Sequence, residues 1–339
     1  MLAVVAPGQG AQTPGFLTPW LEVPAAAEVL RRADDASGLD LVRLGTEGTA
    51  DEIRDTAVAQ PLLVASALAS AAALDLLPRP DAPASGLVLA GHSVGEIPAA
   101  VLAGALSLDD ALALAATRGR AMADTCAAAD TGMTAVLGGD PSELDVALER
   151  TGLVAANRNG AGQVVVAGPR AALDAFAAEP PPKARLRPLE VAGAFHTDAM
   201  APAQATLASY CAGLTFSAPT VPLLSNADGA VVRSGDELRE RLVGQVATPV
   251  RWDACMVTMA ELGVTVVLEL APGGTLTGLA KRTLKGVDTI ALRGPDDLDA
   301  ARAASTRRAE SSEAAPRGGA FPVASDFPAA GSADSGAAG

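Results

Sequence analysis

The chain has 339 residues, of which 49% are apolar, and a formal net charge of −14. That length suits one large domain or two modest ones with a sizeable core. The acidity excludes the basic face that a nucleic-acid binder needs. With aromatics at only 3%, the core must be packed from Ala, Val and Leu.

Read in chain order, Leu2–Ala6 is a first strand rather than a signal peptide, because no basic residue precedes it and Pro7-Gly8 follows at once. Pro7-Gly8-Gln9-Gly10-Ala11-Gln12 is a loop. Helices are expected over Pro24–Ala36, Ala50–Asp55 and Gln60–Leu77. The window Leu62–Leu77 is Ala-rich, carries Asp75 and is too short to span a bilayer, so no membrane association is expected. A Pro-rich connection over residues 78–85 leads to the strand Leu87–Ala90. The turn Gly91-His92-Ser93-Val94-Gly95 and a helix from Glu96 follow. The next helix, Leu108–Thr125, has Ser107 as N-cap and Asp109 and Asp110 in its first turn.

After Asp130 the pattern changes. Met133–Leu137 reads as a strand and Pro141–Arg150 as a helix capped by Asp140. Leu153–Ala156 and Gln163–Ala167 read as strands joined by a turn over Asn157–Gly162. A helix at Arg170–Ala178 and a strand at Arg185–Val191 complete β-α-β-β-α-β, a ferredoxin-like order. Next come a helix at Ala203–Gly213, a strand at Val221–Ser225, and helices at Asp236–Val243 and Asp253–Leu262. The strand Val264–Leu270, a helix beginning at Leu276–Lys281 and the strand Thr289–Ala291 close the series. From residue 301 the composition is Ala, Ser, Gly, Asp and Pro without period, which reads as a disordered tail. Cys126, Cys211 and Cys255 are too few and too scattered for a zinc site or a disulfide framework. They read as buried thiols in a reducing compartment, and the expected setting is the cytoplasm.

Strand, sharp turn, helix is the context in which G-x-S-x-G acts as a nucleophile elbow. Gly91 and Gly95 fall where a Cβ would clash, and Ser93 stands at a helix N-terminus that favours developing negative charge. The plain alternative is a glycine-rich turn with an incidental serine. A serine nucleophile needs a base, and the chain holds only two histidines. His92 adjoins Ser93, and neighbouring side chains diverge at a turn. His196 is therefore the candidate base, placed where the chain re-enters the main domain; otherwise it is a surface or capping histidine. Asp198 is a candidate to orient the imidazole, but reads better as the N-cap of the next helix. A main-chain carbonyl can do the same work, which leaves a Ser–His dyad with no required carboxylate. An oxyanion hole needs the N–H after the nucleophile, on Val94, and a second donor, for which the loop after the first strand offers Gln9. Arg118 lies in an Ala-rich helix; it is either a fork for a substrate carboxylate or, as the residues alone favour, one half of a surface salt bridge.

Taken in order, Pro7–Gln12, Gln60-Pro61, Gly91–Glu96, Thr117-Arg118-Gly119, Asn157 through Gly168, Phe195-His196 and Glu269–Gly273 resemble the malonyl-CoA:acyl-carrier-protein transacylases of fatty-acid and polyketide synthesis. The resemblance implies an α/β fold: a hydrolase-like core with a parallel sheet over residues 1–128 and 197–300, an inserted ferredoxin-like subdomain over 129–196, and the tail over 301–339. It implies that Ser93 is malonylated by malonyl-CoA and that His196 is the base. The phosphopantetheine thiol of an acyl carrier protein then takes the malonyl group. It implies oxyanion donors at Gln9 and Val94, and the malonyl carboxylate on Arg118. Gln60 lines the acyl pocket, and Asn157 or Asn159 lies at the subdomain wall. The main-chain carbonyl of Gln245 orients the histidine. Phe195 would crowd an α-methyl branch. No metal or cofactor is implied, and a monomer is expected. Docking of an acidic carrier protein on an acidic chain calls for a local basic patch, with Arg185, Arg187, Lys281, Arg282 and Lys285 as candidates. The competing readings are a serine esterase or thioesterase, which leaves Arg118 unexplained, and a carrier-docking module with a vestigial site.

Overall fold

The structure, a computed structural model, describes residues 1–78 and 86–304. The tail from residue 305 and most of the Pro-rich connection lie outside the described residues. The chain opens with β1 (Leu2–Ala6), α1 (Pro24–Ser37), α2 (Leu41–Glu47), α3 (Ala50–Arg54) and α4 (Thr56–Ala73). Next come β2 (Leu87–Gly91), α5 (Glu96–Leu102) and α6 (Leu108–Ala127). Then β3 (Thr131–Gly138), α7 (Pro141–Thr151), β4 (Val154–Gly160), β5 (Gln163–Pro169), α8 (Arg170–Ala178) and β6 (Ala184–Pro188) follow. The chain continues through α9 (Ala201–Cys211), α10 (Gly235–Gly244), β7 (Val250–Arg251), α11 (Trp252–Glu261), β8 (Val266–Glu269), α12 (Thr275–Thr283) and β9 (Asp288–Ala291).

One sheet has four parallel strands in the order β2-β1-β8-β9. Strands β1 and β2 are apolar and buried along their whole length because both faces of the sheet are covered there. On β1, Leu2, Val4 and Ala6 enter the main core, whereas Ala3 and Val5 enter a second core against α11 and α12. Small side chains let α4 pack closely on α6 and α1. By length and composition α4 could cross a bilayer, contrary to the expectation from its apolar window, but most of it is buried inside the fold. It begins four residues earlier than the periodicity suggests, because Asp55 caps it by accepting from the Ala57 N–H.

The second sheet is mixed, in the order β6-β3-β5-β4-β7. Its first four strands are antiparallel neighbours joined in the sequence β-α-β-β-α-β. Strand β7, from outside residues 129–196, adds in parallel to β4 through Asn157↔Val250 and Arg158↔Arg251.

Three local expectations need correction. Asn157–Gly160 belong to β4, not to the turn, which shrinks to Ala161 and Gly162 at φ 49° and 71°. The strand accommodates its turn-forming residues with irregular pairing at two points. The strand expected at Val221–Ser225 is reduced to two isolated bridges, Leu89↔Leu223 and Leu224↔Val231. Pro222 has no N–H to extend a ladder; its carbonyl accepts from the Leu89 N–H and the Leu224 N–H donates back to the Leu89 carbonyl, one exchange on either side of Leu223. Asp198 is not a helix cap, since Thr197 accepts from the Ala199 N–H instead.

Candidate active site

The elbow joins β2 to α5. A Cβ on Gly91 would lie 1.9 Å from the Gly95 carbonyl carbon, and one on Gly95 would lie 2.3 Å from the Ala6 oxygen. Only glycine permits the backbone to close this tightly. Ser93 takes φ 55°, a left-handed conformation that costs a non-glycine residue energy and lifts its side chain out of the turn. The strain is held by Asn226, which is wholly buried: its Oδ1 accepts from the Ser93 N–H at 2.7 Å and its Nδ2 donates to the Gly91 carbonyl at 2.7 Å.

His196 also sits at positive φ, 61°, just before α9, with its N–H on the Val246 carbonyl. Its Nε2 lies 2.7 Å from Ser93 Oγ, and its Nδ1 lies 2.8 Å from the Gln245 carbonyl oxygen. A carbonyl accepts only, so Nδ1 carries the proton and Nε2 is free to accept from the serine hydroxyl. Burial, and then the positive charge of Arg118, push the imidazole down to about 3. His196 is therefore a neutral base near neutral pH.

Arg118 is not on the surface. It is 3% exposed and projects from α6 toward the elbow. Its Nη1 donates to Gln60 Oε1 at 2.6 Å, its Nη2 to Gln245 Oε1 at 2.8 Å and, at 3.4 Å, to Ser93 Oγ. Among the described residues no carboxylate comes within ion-pairing distance of the guanidinium, and burial lowers its pKa to about 10. A buried charge without an ionic partner is costly, and the acceptors that meet this one are neutral oxygens of Gln60, Gln245 and Ser93.

The remaining expected residues surround this centre. Gln60 also directs its Nε2 to Met122 Sδ at 3.3 Å. Val94 is buried in the turn directly after the serine. The loop carrying Gln9 runs beside the elbow: the His92 N–H bonds the Ala6 carbonyl, and a Cβ on Gly8 would touch the His92 ring at 2.9 Å. The Gln9 side chain itself reaches the Arg54 carbonyl at 3.4 Å. Asn159, on β4, accepts from His92 Nε2 at 2.9 Å and donates to Gln163, which ties the mixed sheet to the elbow. Asn157 is buried on the same strand, and Phe195 is buried in the main core beside His196.

Two residues to which sequence reasoning gave no role belong to the same network. Asn226 clamps the elbow, as described. Glu96, in the first turn of α5, is buried, and its carboxylate accepts from the Asn226 backbone N–H and from Gln245 Nε2. Burial raises it to about 7, against the opposing pull of the Asn226 N–H and the Arg118 charge. Glu96 was visible as the residue after the elbow motif; nothing local to Asn226 marks it.

Comparison with known proteins is specific. Residues 4–310 match the acyl transferase domain family. The chain is 51% identical over 299 residues to the malonyl CoA-acyl carrier protein transacylase of Mycobacterium tuberculosis, covering 88% of this chain and 98% of that protein. The crystal structure of MCAT from Mycobacterium tuberculosis superposes with a TM-score of 0.85 at 50% identity, covering 88% of this chain and 99% of that one. A malonyl-transacylase solved in complex with its type II PKS acyl-carrier protein superposes with a TM-score of 0.81 at 32% identity, covering 89% and 99%.

Proposed function

The chain belongs to the acyl transferase family of the malonyl CoA-acyl carrier protein transacylases, and on that basis we propose that it moves malonyl from malonyl-CoA to the phosphopantetheine thiol of an acyl carrier protein by a two-step, ping-pong exchange at Ser93. The single observation that carries this reading is the buried Arg118 guanidinium, which among the described residues bonds only to neutral oxygens and lies 3.4 Å from Ser93 Oγ. An esterase or thioesterase has no use for a cation fixed beside its nucleophile. A diacid half-ester does.

In the first step Ser93 Oγ attacks the thioester carbon while His196 Nε2 takes the hydroxyl proton. The oxyanion is held by the N–H groups of Val94 and Gln9. The tetrahedral intermediate expels the CoA thiolate, which takes the proton from His196, and malonyl-Ser93 remains. In the second step His196 takes the proton of the carrier's thiol, the sulfur attacks the ester, and the proton returns to Ser93 Oγ as it leaves. The Gln245 carbonyl accepts from His196 Nδ1 throughout, so the dyad works without a carboxylate. Arg118 grips the free malonyl carboxylate in a bidentate fork. Gln60 holds that fork from one side, and Asn157 and Asn159 form the wall contributed by β4. Phe195 narrows the space around the α-carbon and disfavours methylmalonyl; equal acylation rates with the two CoA esters would remove that assignment.

The architecture is read accordingly. Residues 1–128 and 197–300 form a hydrolase-like core. Residues 129–196 form a ferredoxin-like subdomain, a reading supported by the strand order β6-β3-β5-β4. The enzyme acts as a monomer in the cytoplasm, with no metal or cofactor of its own. Docking of the acidic carrier draws on Arg185 and Arg187 of edge strand β6 and on Lys281, Arg282 and Lys285 at the end of α12, all exposed. The test is mass spectrometry of the protein mixed with malonyl-CoA and then with a phosphopantetheinylated carrier protein. A malonyl adduct on Ser93 that passes to the carrier is expected; release of CoA with free malonate and no adduct would mean hydrolysis.

A further inference from the structure

We propose that Glu96 is a positioning residue for Arg118, acting through the side-chain amide of Gln245. The inference rests on the reading of Arg118 as the ligand of the malonyl carboxylate. Glu96 is 4% exposed, and its two oxygens face the Asn226 backbone N–H and Gln245 Nε2. Both Glu96 oxygens act here as acceptors, as does the Ser93 carbonyl, and a guanidinium only donates. The Gln245 amide therefore has one permitted orientation, with its NH2 toward Glu96 and the Ser93 carbonyl at 2.9 Å, and its Oε1 toward Arg118 Nη2 at 2.8 Å. Flipped, the amide would set oxygen against carboxylate and NH2 against guanidinium.

The polarity of Glu96 is thus passed through a neutral amide to the guanidinium. Gln60 Oε1 fixes the other terminal nitrogen at 2.6 Å. Two amide oxygens on two nitrogens define the plane of the fork. The relay also explains why the negative charge is one residue removed. Glu96 offsets the buried positive charge of Arg118 without forming a direct ion pair, which would compete with an incoming carboxylate for the same N–H groups. Placing a neutral amide between the two charges keeps the aim and leaves the fork available.

The test is Glu96→Gln. Its amide must present an NH2 either to the Asn226 N–H or to Gln245, so the ordering of the relay is lost while size is kept. Two rates are read by intact mass: malonylation of Ser93 across a series of malonyl-CoA concentrations, and labelling of Ser93 by an alkyl fluorophosphonate, which has no carboxylate. The half-saturating malonyl-CoA concentration should rise at least tenfold, while fluorophosphonate labelling falls less than threefold. Gln245→Met, which removes the amide but keeps the main-chain carbonyl, should give the same carboxylate-selective loss and stands in if E96Q does not fold. An unchanged half-saturating concentration in either variant overturns the proposal. So does an equal fall in both reactions, which would make Glu96 a support of the elbow alone. A wild-type protein that takes the fluorophosphonate but no malonyl would instead overturn the transferase reading, and this inference with it.

Discussion

Ser93 Oγ and His196 Nε2 meet at 2.7 Å across 103 positions of sequence, and both residues hold left-handed φ, 55° and 61°. Two strained backbones are aimed at one hydrogen bond, and the surrounding structure must over-determine each of them. Ser93 is held by Asn226 and His196 by the Gln245 and Val246 carbonyls. If this pair is the reactive unit, His196→Ala should leave the fold intact by circular dichroism and slow fluorophosphonate labelling of Ser93 by about 10^3-fold or more. Retention of labelling would separate the imidazole from the chemistry.

Arg118 depresses the His196 pKa, second only to burial. Removing its charge raises the imidazole pKa from about 3 toward its ordinary value. A base works only when unprotonated. The wild-type labelling rate should therefore show no imidazole limb between about pH 5 and 8, and Arg118→Met, in which burial still holds the imidazole low, should carry its acid limb at a higher pH than the wild type. Labelling with fluorophosphonate at several pH values checks this, and superimposable profiles would contradict it.

Asn226 carries the elbow by two hydrogen bonds, one buried and one partly buried. In Asn226→Ala the Ser93 N–H and the Gly91 carbonyl lose their partner inside the fold. The expected cost is about 1–3 kcal/mol for each unsatisfied group, read as a fall in the urea midpoint at unchanged slope. A midpoint equal to wild type would mean that the turn is self-supporting.

Glu96 gives a stability signature of definite sign. Its folded pKa is raised from 4.5 to about 7, chiefly by burial. A carboxyl raised in the folded state contributes its stability in full below its unfolded pKa and loses it as pH climbs through the folded value. The groups that bear on it are Arg118, Arg241 and Cys255, with the Asn226 N–H and the Gln245 amide in contact. The stability difference between wild type and E96Q should therefore shift against the wild type as pH rises from 4.5 to about 7 and level off above that, by on the order of 3 kcal/mol in all. A pH-independent difference in denaturant unfolding would contradict the raised pKa.

The sequence exposes residues whose chemistry is rare and hides those that matter through burial. Ser93 and His196 were legible because an elbow motif and only two histidines leave few choices. Arg118 was not legible from its helix alone. Its neighbours Thr117 and Arg120 say nothing of the Gln60 and Gln245 oxygens that meet it from α4 and from the segment after α10. Asn226 lies in Ser225-Asn226-Ala227-Asp228-Gly229, which reads as an ordinary turn; only the tertiary structure turns it toward the elbow. The fold follows the same division. Long periodic segments such as α6 and α8 lie where their patterns put them. By contrast, β4 runs on through Asn157–Gly160 because β5 and β7 pair with it, overriding the local preference of Asn and Gly for turns. The short helix α2 is not legible in the sequence because seven residues containing Gly45 give little period to read.

The central claim, transfer through an acylated serine, is tested most directly by intact-mass analysis of wild type and Ser93→Ala after brief exposure to malonyl-CoA, followed by a phosphopantetheinylated acyl carrier protein. The account predicts a malonyl adduct on the wild type that maps to Ser93, disappears as the carrier gains the same mass, and is absent from S93A. Malonate accumulating without any adduct or malonyl-carrier, or an adduct that persists in S93A, would contradict it.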